Sequence, residues 1–145
     1  MNDADDGRDS ARDEGLADAF WSVARRLRHL THETLEPIGI TPGQSRAVAV
    51  LMRHGVMRLS ELSDHLRIAP RSTTEVVDGL QERGLVERRP DPADRRATLV
   101  ALTDAGRATG ETIRTARVAE AERFFAGLDA ADRATLARIL RTLRS

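Results

Sequence analysis

The chain contains no cysteine. Without a thiol it has no disulfide framework, no thiolate-held zinc and no cysteine-based redox switch, so any sensing must use other chemistry. It also lacks any apolar run approaching the roughly 18 residues of a membrane span, and no membrane partner is expected. The opening Met1-Asn2-Asp3-Ala4-Asp5-Asp6 is acidic with no apolar stretch behind it, which does not read as a targeting segment and makes the cytoplasm the expected location. Catalytic signatures are missing as well. There is no phosphate-binding glycine loop, no pair of catalytic carboxylates and no hydrolase elbow, so the chain is not expected to be an enzyme or to carry a cofactor.

Net charge is absent overall, with 23 basic residues against 23 acidic ones. That balance argues against nucleic acid as a partner, but the charge is unevenly spread. Residues 1–14 hold six acids and two arginines, a net of −4, leaving +4 on the rest. Lysine is missing entirely. Arginine presents a planar fork of donors suited to phosphate oxygens and guanine edges, although genome base composition also produces arginine-only usage.

What is present is one domain's worth of chain, 145 residues with 40% apolar and 32% charged, suited to a strongly helical soluble protein. Residues 1–14 are polar, acidic and non-periodic and read as a disordered acidic tail. Leu16, Phe20, Val23, Leu27 and Leu30 then repeat at spacings of 4, 3, 4 and 3, one long apolar seam on a helix that Pro37 and Gly39 end. A seam this long in so small a protein predicts a partner chain.

Thr41-Pro42 opens a second helix, which ends near His54-Gly55. Leu59-Ser60-Glu61-Leu62 opens a short third helix, with Ser60 as its expected cap. A fourth starts near Pro70 with Thr73, Val76, Val77 and Leu80 on one face. The segments 85–89 and 97–102 are short and rich in β-branched residues, and the proline- and aspartate-rich stretch 90–96 separates them, which predicts a β-hairpin with a charged tip. Thr103 and Asp129 are set to cap a fifth and a sixth helix, the latter carrying Leu136, Ile139, Leu140 and Leu143. The fold class predicted is therefore mainly α with a small β-hairpin wing, a winged helix-turn-helix followed by further helices.

In that arrangement the fourth helix enters the major groove. Arg71, Ser72, Thr73, Thr74 and Glu75 form its candidate DNA-binding segment, Thr73 being shared with the core face. The hairpin tip sets Arg88, Arg89, Arg95 and Arg96 against Asp91 and Asp94. A protruding arginine ribbon suits the narrow, negative minor groove, with Asp94 expected to hold an arginine fork in place. The bland alternatives are a solvated helix face and an incidentally charged turn, or a winged-helix module that binds protein instead of DNA. His29, His32 and Glu33 share a helix face, but with no thiolate and no fourth ligand no metal is expected.

The stretches Gly39-Ile40-Thr41-Pro42-Gly43-Gln44, Leu59-Ser60-Glu61-Leu62, Gly84-Leu85-Val86-Glu87-Arg88, Asp94-Arg95-Arg96 and Leu102-Thr103-Asp104-Ala105-Gly106 stand in an order and spacing that resembles the MarR family of bacterial transcription regulators. The resemblance spans about residues 16–145. It implies a homodimer on a pseudo-palindromic site of double-stranded DNA, a winged lobe at about 41–103 and dimerisation helices at about 15–37 and 104–145. It places the minor-groove arginine at Arg96 and its supporting aspartate at Asp94. It also implies a small aromatic or phenolic effector held between the dimerisation helices and the lobe, with Trp21, His32 and Arg46 as candidate ligand-binding residues, and a repressor released by that effector. Two positions depart from the family pattern: Ala69, where many members place a helix cap, and Glu75, which is often basic.

Overall fold

The computed structural model describes the backbone of residues 6–144 and the side chains of residues 15–144. Helix α1 (Asp6–Leu35) passes through a short 3-10 turn (Glu36–Ile38) into α2 (Pro42–His54). Then come β1 (Met57–Arg58), α3 (Leu59–Leu66), α4 (Pro70–Glu82), β2 (Val86–Pro90), β3 (Thr98–Leu102), α5 (Asp104–Phe124) and α6 (Ala130–Leu143). The expected acidic tail divides here: residues 1–5 lie outside the described residues, whereas 6–14 belong to α1. Arginine, alanine and glutamate in that stretch are good helix formers, and acids near a helix N-terminus complement its dipole.

Capping chemistry explains most of the boundaries. Thr41 accepts from the Gln44 backbone N–H while the Gln44 side chain accepts from the Thr41 backbone, a reciprocal capping box with Pro42 at the first helical position. Thr103 and Asp129 cap α5 and α6 as their positions predict. Ser60 does not cap α3: that helix begins at Leu59, behind Arg58, which makes no side-chain cap bond. The reason is β1, a two-residue strand too short to read in the sequence, which pairs Met57 with Val100 and fixes where the chain turns into α3.

The antiparallel sheet runs β1-β3-β2, with Val86 opposite Leu102 and Pro90 opposite Thr98. Its inner face and helices α2, α3 and α4 enclose one core that includes Val48, Leu51, Leu62, Val77, Leu80 and Val100, closed by Leu35 from α1 and Ile113 from α5. The remaining apolar seam is uncovered. Leu16, Phe20, Trp21 and Val23 on α1 and Ile139, Leu140 and Leu143 on α6 are all exposed, and α6 has no buried residue at all.

The Leu-Thr-Asp-Ala-Gly stretch fastens α5 to the lobe. Thr103 accepts from Gly106 N–H, donates its hydroxyl to the Gly84 carbonyl at 2.6 Å, and its amide donates to the Leu85 carbonyl at 3.0 Å. A Cβ on Gly106 would stand 1.9 Å from the Leu85 carbonyl oxygen, and backbone cannot yield as a flexible side chain can. Gly106→Ala is therefore expected to destabilise the fold by about 2–3 kcal/mol, read as a lower urea midpoint. An unchanged midpoint would refute the close-approach account.

Candidate nucleic-acid interface

Helix α4 divides cleanly between inside and outside. Thr73, Val77 and Leu80 are fully buried, Val76 is half-buried, and Arg71, Ser72 and Glu75 are exposed. Thr73 accepts the Ser63 hydroxyl at 2.8 Å and donates to the Ala69 carbonyl at 3.3 Å, locking α4 against α3. That corrects its candidacy as a DNA contact, because an atom with no solvent access cannot meet a base. Half-buried Thr74 donates its hydroxyl to the Pro70 carbonyl and keeps its acceptor lone pairs. The start of α4 has no side-chain cap, with Ala69 before it and Pro70 at its first position, so its first amides remain open.

The four arginines of the hairpin have two different fates. Arg88 turns back onto α4, where it pairs with Asp78 and Gln81, and Arg89 pairs with Glu87. Arg95 and Arg96 are exposed, and their guanidinium groups make no ion pair or hydrogen bond among the described residues. Asp94 holds no guanidinium fork. It accepts from the backbone amide of Arg96 at 3.0 Å, an Asx turn that shapes the tip and leaves the side chain of Arg96 outside.

The aspartate that does engage an arginine is Asp91. It is buried and accepts from the Ala93 amide at 2.9 Å and from Arg58 Nε at 2.7 Å across the sheet. The Ala93 amide holds its carboxyl below the usual range, partial burial opposes that shift, and Arg58 reinforces it. A second arginine clamp joins the far end of α4 to the turn after α1: Arg83 donates to the carbonyls of Ile38, at 3.0 Å, and Gly39. Neither contact could be found from local sequence, since the partners lie 33 and about 45 residues apart.

The expected effector residues line none of the three cavities found among the described residues. Trp21 packs edge-on against Phe20, and His32 and Arg46 are exposed. A cavity of about 740 Å³ lies elsewhere, between α2 and α5, floored by Val48, Met52 and Ile113 and rimmed by Ser45, Arg53, Arg114 and Arg117; none of the three expected residues lines it. Between α1 and α5, buried Glu120 accepts the hydroxyls of Thr31 and Thr34, at 3.3 and 2.8 Å. His29 and Glu33 approach to 3.3 Å, and among the described residues no cluster of three or more potential metal ligands forms. No described helix is long and apolar enough to cross a membrane.

Because Asp91's folded pKa is lowered, its stabilising effect is complete above the ordinary carboxylate range and fades as pH falls through the lowered value. Asp91→Asn is therefore expected to reduce the urea midpoint at neutral pH, with the gap to the parent narrowing as pH falls below the ordinary carboxylate range. A gap that stays constant with pH would contradict an ionised, hydrogen-bonded Asp91.

The comparisons agree with this architecture. The model of the MarR family matches residues 40–98, the stretch from just before α2 to the first residue of β3. The HTH-type transcriptional repressor MdtR of Bacillus subtilis is 30% identical over 119 residues, covering 80% of this chain and 77% of its own. A mutant MarR from E. coli, solved in complex with operator DNA, superposes with a TM-score of 0.77 at 28% identity, over 89% of this chain and 93% of that one. BpsR of Bordetella bronchiseptica, whose DNA binding is regulated by 6-hydroxynicotinic acid, superposes with a TM-score of 0.76 at 25% identity, over 90% and 99% of the two chains. With an inner face that seals α4 to the lobe, an outer face left to solvent and an arginine-tipped hairpin beside it, this chain belongs to the MarR family of winged helix-turn-helix DNA-binding regulators.

Proposed function

We propose that the chain acts as a homodimer on a pseudo-palindromic operator, as a repressor released by a small aromatic acid. The observation that carries the reading is the pair of exposed, unpartnered guanidinium groups at Arg95 and Arg96, on a tip that Asp91 and Asp94 hold rigid from within. In this reading α4 lies in the major groove, where Arg71 forks onto a guanine edge, Ser72 and Thr74 meet phosphate or thymine methyl groups, and Glu75 accepts from a cytosine amino group. Arg96, with Arg95 beside it, enters the flanking minor groove and reads its width more than its sequence. Residues 41–103 form the DNA-binding lobe, and the helices on either side supply the dimer. The exposed seam of α1 and α6 supports that division, since it is apolar and uncovered by the other described residues.

The effector reading moves from Trp21, His32 and Arg46 to the cavity between α2 and α5. Arg53 and Arg117 at the rim of an apolar floor, with Arg114 paired to Glu111 beside them, suit a flat molecule with one carboxylate. Helix α2 belongs to the lobe and α5 leads toward the dimerisation end, so a ligand wedged between them shifts the lobes relative to each other and changes the spacing of the two α4 helices. BpsR, regulated by an aromatic acid, supports this reading by likeness.

Binding to duplexes tiled across the neighbouring divergent promoter tests the proposal. Arg96→Ala is expected to lower affinity roughly tenfold, about 1.4 kcal/mol, with the dimer mass unchanged by sedimentation. Equal binding by Arg96→Ala discards the wing assignment, and a monomeric mass for the parent discards the dimer.

In thermal-shift measurements, aromatic carboxylates are expected to raise the midpoint of the parent and to leave an Arg53→Ala, Arg117→Ala double variant unmoved. A panel of such acids that shifts neither protein would remove the effector.

A further inference from the structure

The corner between α3 and α4 is made by Arg67, whose φ of 53° and ψ of 45° make it the single non-glycine residue with positive φ among the described residues. The other three positive-φ positions among the described residues, Gly39, Gly55 and Gly84, are all glycine. A Cβ crowds the following carbonyl in this conformation, and asparagine and aspartate tolerate it because a short polar side chain can bond locally. Arginine has no such relief. The corner itself needs only backbone: the Arg67 amide donates to the Asp64 carbonyl at 3.3 Å and the Ile68 amide to the Ser63 carbonyl at 3.4 Å. Glycine would close the same turn with less strain.

The Arg67 side chain does nothing for the fold that offsets this strain. It is exposed, lies outside the core, and makes no ion pair or hydrogen bond among the described residues, although Asp64 lies one helical turn before it. Its position is nonetheless particular. Arg67 stands three residues before Pro70, at the entry to the helix whose outer face is the candidate reader, with exposed Arg71 on the first turn beyond.

Resting on the DNA-binding reading, we propose that Arg67 is a phosphate contact of the interface, a cation kept at the helix-turn-helix corner where the backbone alone would favour glycine. A guanidinium there meets the sugar-phosphate strand bordering the groove that α4 enters. Such a contact positions the lobe and adds to affinity for any duplex, but carries no sequence information.

The test compares the full chain with Arg67→Gly and Arg67→Lys by thermal melting and by fluorescence anisotropy. Two duplexes of about 30 base pairs are used, one carrying the neighbouring promoter and one of mixed sequence, long enough for two half-sites a helical turn apart. Arg67→Gly is expected to melt higher than the parent, yet to bind both duplexes more weakly by a similar factor, about fivefold to tenfold. The slope of log affinity against log salt should become shallower by about 2, one phosphate for each subunit of a dimer. Arg67→Lys should keep most of that slope. Parental affinity and slope in Arg67→Gly overturn the assignment, as does weakening confined to the promoter duplex, which would mark a base contact instead. A lower melting point in Arg67→Gly overturns the strain argument. A parent that binds neither duplex brings down the DNA-binding reading and this inference with it.

Discussion

The orientation of α4 depends on the burial of one of its faces. Thr73, Val77 and Leu80 have no solvent access, and the Ser63 hydroxyl is spent on Thr73. A buried hydroxyl pair is stable only while both members stay in register, because separating them leaves polar groups unsatisfied. The helix therefore cannot roll on α3 without a penalty, and whatever stands opposite those residues stands in solvent. Arg71, Ser72 and Glu75 are outside for that reason. Arg88 on β2 reaches Asp78 and Arg83 reaches the turn after α1, so the same helix is tied to the wing on one side and to the long first helix on the other. Helix α4, the hairpin and the turn after α1 are thus held together around one packed face.

The molecule is uneven in how well it satisfies itself. Helices α2 to α4 and the sheet enclose a core that takes Leu35, Ile40, Leu85 and Ile113 from outside those elements, whereas α6 has no buried residue and the front of α1 exposes two aromatic rings. Exposed apolar surface of that continuity is normally covered by another surface. The α2–α5 cavity sits between these two regimes.

Local chemistry was legible before any coordinates. Thr41, Thr103 and Asp129 cap the helices their positions announce, since a cap is set by residues within one turn of it. The two apolar seams and the hairpin follow from periodicity for the same reason. Thr73 was ambiguous because a threonine at an inward spacing on a polar helix start suits a core or a groove equally, and only its partner on α3 decides. Ser60 misled because the two-residue β1 that displaces it depends on β3, some 40 residues later. The wing was half legible: its arginine content is plain, but which arginines are free depends on Asp78 and Glu87 claiming two of them. The arginine-holding role expected of Asp94 belongs instead to Asp91, which Arg58 reaches across the sheet. The expected ligand residues came from resemblance alone, without a spacing that forced them together, and none of them lines the α2–α5 cavity.

Hydroxyl-radical footprinting of the full chain on its neighbouring promoter tests the central claim most directly, that a sealed inner face on α4 leaves a DNA-reading outer face beside an arginine finger. The account predicts two patches of protected sugar-phosphate backbone about 10 base pairs apart on one side of the duplex, each flanked by minor-groove protection. Uniform protection along the duplex, or none, would contradict it.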